Sequence, residues 1–132
     1  MLEQSRSQRR GNMRANKYGA KRTEVDGIQF DSKMESEYYR QLMLLQRAGA
    51  ITDLELQPRF TLLDSFKKNG KNIQGIVYRA DFQYKEAGQT VVIDVKGVRT
   101  KDFNIKKKLF DSRYPDLELK LVTKENGRWV SA

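Results

Sequence analysis

The residues best equipped for chemistry in this chain are three acids and a lysine: Glu35, Asp81, Asp94 and Lys96. The chain has no His and no Cys. That excludes zinc fingers, thiol nucleophiles, Ser-His triads and His-ligated metal centres. Any metal held here must sit on oxygen ligands, which favours Mg2+ or Mn2+. Asp94-Val95-Lys96 puts a carboxylate and an ammonium two residues apart, on one face of an extended strand. Asp81 lies in a preceding run, IVYRADFQY, that alternates as a strand should.

The register between these two segments decides whether the acids meet. If residues 86–89 form the loop, Lys85 pairs with Thr90, Phe82 faces Ile93, and Tyr84 faces Val91. Asp81 then lies directly opposite Asp94, with Cβ atoms roughly 4.5–5.5 Å apart. Like charges so placed repel and need a cation, which Lys96 or a divalent metal can supply. The same parity puts Ile76, Tyr78, Ala80, Phe82 and Tyr84 on one face and Val77, Arg79, Asp81 and Gln83 on the other. The competing reading is a wet outer face carrying two unrelated acids.

Glu35 belongs to the segment FDSKMESEYYRQLMLLQRAGA, which predicts a helix capped at Asp31 or Ser32, running to about Ala48 and stopped by Gly49. At 100° per residue Tyr38, Tyr39, Leu42 and Leu45 share one side, and Glu35 falls within that apolar stripe. A carboxylate there is costly unless paired or metal-bound, although in the first turn it can also stay wet and favoured by the helix dipole.

The remaining elements follow from turn and cap signals. Asp26-Gly27 marks a tight turn within Thr23–Phe30, and Asn69-Gly70 a two-residue hairpin. Leu54, Leu56, Phe60 and Leu62 predict a strand disturbed at Pro58. Strands over 73–85 and 90–97 follow, then a helix over roughly 102–113 capped by Thr100 or Asp102 and ended at Tyr114-Pro115. Residues 117–122 alternate as a last strand. The expected fold is α/β (α+β): a mixed, mostly antiparallel central sheet flanked by helices.

Its 132 residues suit one domain, with 38% hydrophobic and 33% charged residues in a globular balance. Net charge is +9, which points to a polyanionic partner, nucleic acid or an anionic membrane surface. Residues 1–22 carry seven basic residues (Arg6, Arg9, Arg10, Arg14, Lys17, Lys21, Arg22) against Glu3. Residues 23–98 carry ten against eleven acids, and 99–132 nine against five. The expected organisation is a basic N-terminal arm over 1–22, gripping nucleic acid, and a single domain over 23–132. No apolar run is long enough for a membrane span, and the basic N-terminus lacks the apolar stretch of a secretory signal. No basic amphipathic helix has the large apolar face of an interfacial anchor. Together with the absence of cysteine, this suggests a cytoplasmic protein.

The set Glu35, Asp81, Asp94 and Lys96, with its stretches FDSKMESEYYRQL, YRADF and VIDVKG, resembles the active-site pattern of the PD-(D/E)XK nuclease superfamily. More closely, NKYGAKRTEVDGIQFDSK, LQPRF, YRADFQY and VVIDVKGVRTKDFNIKKKLF resemble a family of small phage and prophage endonucleases over about residues 16–122. The superfamily's signature Pro before the first Asp is here Ala80. The resemblance implies a restriction-endonuclease-like core and Mg2+ or Mn2+ held by Glu35, Asp81, Asp94 and the Val95 carbonyl. Lys96 would orient the attacking water or neutralise developing charge. It further implies DNA cleavage to a 5′-phosphate and a 3′-hydroxyl, by a structure-directed enzyme of the Holliday-junction-resolvase kind or by a nonspecific DNA endonuclease. A resolvase acts as a homodimer because it cuts two strands symmetrically. The rival from another class is a noncatalytic nucleic-acid-binding module.

Supporting residues are Gln57, which resembles a recurrent family Gln but has the wrong parity unless Pro58 bulges the strand. Arg79 would meet a phosphate or form a salt bridge. Among Lys106, Lys107 and Lys108, Lys107 is the better DNA contact, being in line with Phe103, Phe110 and Tyr114.

Overall fold

The computed structural model describes residues 22–97 and 99–132. These fall into two compact units, one ending at Arg40 and the other beginning at Gln41, with the boundary inside the first helix. The unit ending at Arg40 contains the hairpin β1 (Thr23–Val25) and β2 (Ile28–Phe30) and the start of α1 (Lys33–Arg47). Asp26-Gly27 forms the turn, both residues with positive φ. Ser32 caps the helix, its Oγ accepting the Glu35 N–H at 3.0 Å. Phe30 packs on Tyr39 with ring centroids 5.1 Å apart.

The unit from Gln41 holds the rest of α1 and nine strands: β3 (Thr52–Leu56), β4 (Arg59–Leu63), β5 (Phe66–Lys68), β6 (Lys71–Ile73), β7 (Ile76–Arg79), β8 (Phe82–Glu86), β9 (Gln89–Val95), β10 (Glu118–Glu125) and β11 (Arg128–Ser131). A second helix, α2 (Lys101–Arg113), connects β9 to β10. The main sheet has the order β11-β10-β9-β8-β3, parallel only between β9 and β10. Parallel neighbours need a crossover, and α2 provides it. The fold is therefore mixed α+β, with a mostly antiparallel sheet and two helices. Thr100 caps α2 through its hydroxyl, and the helix ends at Tyr114.

β9 is the central strand and is buried on both faces: Val91, Val92, Ile93 and Asp94 are each at most 4% exposed. Val92 joins Phe60, Tyr78, Phe103, Phe110 and Leu121 in the core. Its rings meet edge-on or tilted, Phe60 lying 5.0 Å from Phe110 and 5.4 Å from Tyr114 between centroids.

The β8–β9 register is the expected one, Phe82 opposite Ile93 and Tyr84 opposite Val91. The turn is tighter than expected. Glu86 pairs with Gln89, and only Ala87-Gly88 turn, both with positive φ. Two expectations fail. The last strand continues to Glu125 and folds back through Asn126-Gly127 into β11. The run 73–85 is not one strand but three pieces: β6, β7 and β8.

The break between β7 and β8 falls at Ala80-Asp81, opposite the Gln57-Pro58 break between β3 and β4. Gln57 N–H donates to the Asp81 carbonyl at 2.9 Å, and Ala80 N–H to the Pro58 carbonyl at 3.0 Å. Both strands thus turn the same corner together. β3 and β8 stay in the main sheet, while β4 and β7 leave as a separate two-stranded ribbon. Pro58 has no N–H for a ladder, and Gln57 takes the left-handed φ of 54°. Parity is lost across the corner, so Tyr78 and Ala80 pack with Val92 and α2 rather than sharing the Phe82 face.

Beyond the ribbon, β5 and β6 form the hairpin that Asn69-Gly70 predicts. Gly75 is required at its root: a Cβ there would lie 2.1 Å from the Leu63 carbonyl oxygen and 2.8 Å from Ser65 N. Gly97, by contrast, has open space around it. Gly75→Ala should therefore cost at least about 3 kcal/mol by forcing backbone apart, and Gly97→Ala less than about 1 kcal/mol. Urea denaturation of the two variants checks this; equal midpoints would refute the close approach.

Candidate active site at the strand corner

The corner brings the Asp-X-Lys strand to the first aspartate. Asp81 N–H donates to the Ile93 carbonyl at 3.0 Å, one residue out of step with the register in which Phe82 faces Ile93. The regular ladder therefore ends at Phe82, and Asp81 does not stand directly opposite Asp94 as the sequence predicts. Its carboxylate Oδ2 accepts the Val95 N–H at 2.7 Å. Asp81 is thus fixed by side chain and backbone to the residues on either side of Asp94.

Asp94 is 3% exposed. Its face of β9 is covered by α2, so the reading of Val92, Asp94 and Lys96 as a wet outer face is overturned. A buried carboxylate needs donors, and it has two. The Tyr78 hydroxyl donates to Oδ2, and Lys96 Nζ lies 3.2 Å from Oδ1. The Lys96 ammonium also stands 4.5 Å from the centroid of the Phe103 ring, a cation–π contact. Its side chain keeps 28% exposure, so it faces solvent while touching the buried acid.

Tyr78 is the residue that sequence parity misplaced. The expected continuous strand turned it away from Asp94; the break at Ala80-Asp81 turns it toward Asp94. Burial, then the Asp94 charge, then the hydrogen bond to Asp94, then the Asp81 charge hold its phenol far above the usual tyrosine range. Tyr78 therefore remains a donor to Asp94 and is no proton acceptor.

The other expected residues are more scattered. Glu35 is 7% exposed and lies in the unit that ends at Arg40, on α1 as predicted. Gln57 sits at the break that the Pro58 condition required, and it is exposed. Arg79 ends β7, exposed and paired across the ribbon with Arg59. Lys107 makes an i,i+4 ion pair with Asp111 at 2.7 Å. Arg22 is exposed, while Arg9, Arg10, Arg14, Lys17 and Lys21 lie outside the described residues.

Among the described residues no group of three or more acidic side chains gathers to hold a metal ion. The donors of the Asp81–Asp94 corner nevertheless fit one class of ion. Mg2+ is typically held by one or two carboxylates, keeping several waters and sharing substrate phosphates. Two aspartates and a backbone carbonyl are hard oxygen ligands of that kind. Among the described residues no helix is long and apolar enough to cross a membrane.

A family model described as "Protein of unknown function (DUF1064)" matches residues 15–127. No curated protein matches the chain.

The Tyr78–Asp94 bond has a pH signature. A phenol held protonated by the fold contributes stability that is complete below the unfolded value near 10. Above it the unfolded chain releases a proton that the folded chain retains, so stability falls as pH rises. Tyr39, raised by burial and then by the Asp26 charge and hydrogen bond, adds to the same trend. Tyr78→Phe should cost about 1–3 kcal/mol at neutral pH by leaving Asp94 one donor short, and flatten the alkaline decline. Denaturant melts of both proteins between pH 7 and 11 check it; parallel declines would refute the assignment.

Proposed function

The chain belongs to the DUF1064 family, and we propose that it is a Mg2+- or Mn2+-dependent endodeoxyribonuclease with its active site at the Asp81–Asp94 corner. What carries the reading is the buried Asp94. A carboxylate 3% exposed, with Lys96 on one oxygen and Asp81 anchored to the next residue's amide, is expensive to build for stability alone. The same Asp, Asp-X-Lys arrangement is what the resemblance to PD-(D/E)XK nucleases implies.

In this reading Asp81, Asp94 and the Val95 carbonyl would hold the ion, which when bound supplies positive charge to the scissile phosphate. Tyr78 and Lys96 fix the orientation of the Asp94 carboxylate, leaving it little rotational freedom to lose. The Lys96 ammonium, held between Asp94 and the Phe103 ring and partly open to solvent, neutralises charge developing on phosphate or orients the attacking water.

The substrate in this proposal is branched DNA, cut by a homodimer. Equal action on any duplex is the nonspecific alternative. The decisive experiment offers a labelled four-way junction, a linear duplex and a single strand to wild type and to Asp94→Asn, with Mg2+ and with Mn2+. Wild type should make paired nicks in the junction, leaving 5′-phosphate and 3′-hydroxyl ends. Asp94→Asn should lose at least about 100-fold in rate. Equal cutting of all three substrates would keep the site and remove the branched-DNA preference. Binding without cutting would favour a noncatalytic module, and a variant as active as wild type would sink the site.

Metal binding has a separate readout. Saturating Mn2+ should raise the melting temperature of wild type, because an ion bound to the native state stabilises it. Asp81→Asn and Asp94→Asn should each abolish the shift. A shift unchanged in both variants would place the ion elsewhere.

A further inference from the structure

The β4–β7 ribbon and its β5–β6 hairpin carry a charge that the proposed active site does not use. Residues 59–79 contain Arg59, Lys67, Lys68, Lys71 and Arg79 against one acid, Asp64. That acid is paired with Arg113 at 3.1 Å. Two basic pairs stand directly opposite each other across the strands: Arg59 with Arg79 near the corner, and Lys68 with Lys71 at the tip. Like charges in that relation are destabilising, and an anion lying over Lys68 and Lys71 removes the penalty at the tip.

The hairpin's faces are differentiated. Phe66 pairs with Ile73, Lys67 with Asn72 and Lys68 with Lys71. Side chains alternate along a strand, so Phe66, Ile73, Lys68 and Lys71 share one face. Phe66 is 44% exposed and Ile73 38% exposed. This face therefore has an apolar root and a cationic tip.

The hairpin is anchored at its base. Ser65 Oγ accepts the Gly75 N–H at 2.9 Å, and Gly75 lets the two chain segments approach within the space of a missing Cβ. Tyr114 ties the ribbon to α2 through the Thr61 carbonyl at 2.9 Å. An anchored two-stranded ribbon of this width fits the major groove of B-DNA, about 12 Å across.

We propose that the β5–β6 hairpin is a duplex-DNA-binding ribbon. Lys68 and Lys71 contact backbone phosphates, while Phe66 and Ile73 lie against sugars and base edges. The proposal deepens the nuclease reading by naming the duplex arm of its substrate as the ligand, and it rests on that reading for the choice of DNA. Charge complementarity selects DNA over an apolar partner, because the exposed apolar pair is flanked by lysines and the one nearby acid, Asp64, is paired with Arg113.

The test measures binding of a labelled duplex by anisotropy in EDTA, so that cleavage plays no part. Each phosphate contact contributes about 0.9 to the slope of log affinity against log salt. Lys68→Gln with Lys71→Gln should reduce that slope by about 1.8. Phe66→Ala with Ile73→Ala should weaken binding roughly tenfold and leave the slope unchanged. Lys85→Gln with Lys120→Gln, exposed lysines on β8 and β10, should leave the slope unchanged.

Wild-type slope and affinity in both hairpin variants would overturn the proposal, whatever the cleavage assay gives. So would an equal loss of slope in the control, which would mean that only overall charge matters. If the hairpin variants lose binding as expected while wild type never cuts DNA, the ribbon stands and the nuclease reading falls. Duplex binding absent in wild type overturns it as well. So does capture by anionic phosphatidylserine vesicles without duplex binding, or a dimer that Phe66→Ala with Ile73→Ala dissolves in sedimentation velocity. All of these substitutions lie on exposed side chains, and circular dichroism melts verify that each variant is folded.

Discussion

A carboxylate almost wholly removed from water, between the central strand and α2, constrains everything around it. Asp94 would carry a desolvation penalty of several kcal/mol with no partners. The Tyr78 hydroxyl and the Lys96 ammonium supply them, and each is itself held by the aromatic core. Tyr78 packs against Phe103 and Phe110, with centroids 6.1 Å away in each case. Lys96 rests over Phe103. The core therefore has two functions here: it excludes water from Asp94, and it holds the groups that replace water.

That arrangement depends on the paired corner. Were β7 and β8 continuous, strand alternation would carry Tyr78 to the side of the sheet away from Asp94. The chain instead breaks at Ala80-Asp81 where its neighbour breaks at Gln57-Pro58, and hydrogen bonds between the breaks keep the backbone satisfied. One irregularity would leave an unpaired N–H or C=O inside the sheet; two opposed ones exchange bonds. The corner also frees Asp81 from a fully extended strand, so its carboxylate reaches the Val95 amide. It directs the β4–β7 ribbon away from the main sheet, with the basic hairpin at its end.

Charge is distributed along the same lines. Over residues 23–98 acids and bases nearly balance, and the average conceals a separation. Seven of the acids fall between Glu24 and Glu55, whereas residues 65–79 contain none. The fold divides the basic residues of that stretch between the β5–β6 hairpin, which carries Lys67, Lys68 and Lys71, and the end of β7, which carries Arg79 beside the corner.

Much of this was legible in the sequence. Asp26-Gly27 and Asn69-Gly70 determine their turns because both central residues need positive φ. Ser32 and Thr100 determine helix starts because their side chains satisfy otherwise unbonded N–H groups. The β8–β9 register from Phe82 to Glu86 followed from matching apolar residues across a short turn. These are local interactions or patterns spanning a few residues. The direct opposition of Asp81 to Asp94 did not follow, because the register slips by one residue at Asp81. The burial of Asp94, its bond to Tyr78 and the contact of Lys96 with Phe103 were decided only in the tertiary structure. Each joins residues from different elements, and the Tyr78 bond also depends on a break in parity that alternation along a single strand cannot register. Pro58 marked one side of that break. Its partner at Ala80-Asp81 had no such mark, because the second strand breaks only to stay hydrogen-bonded to the first.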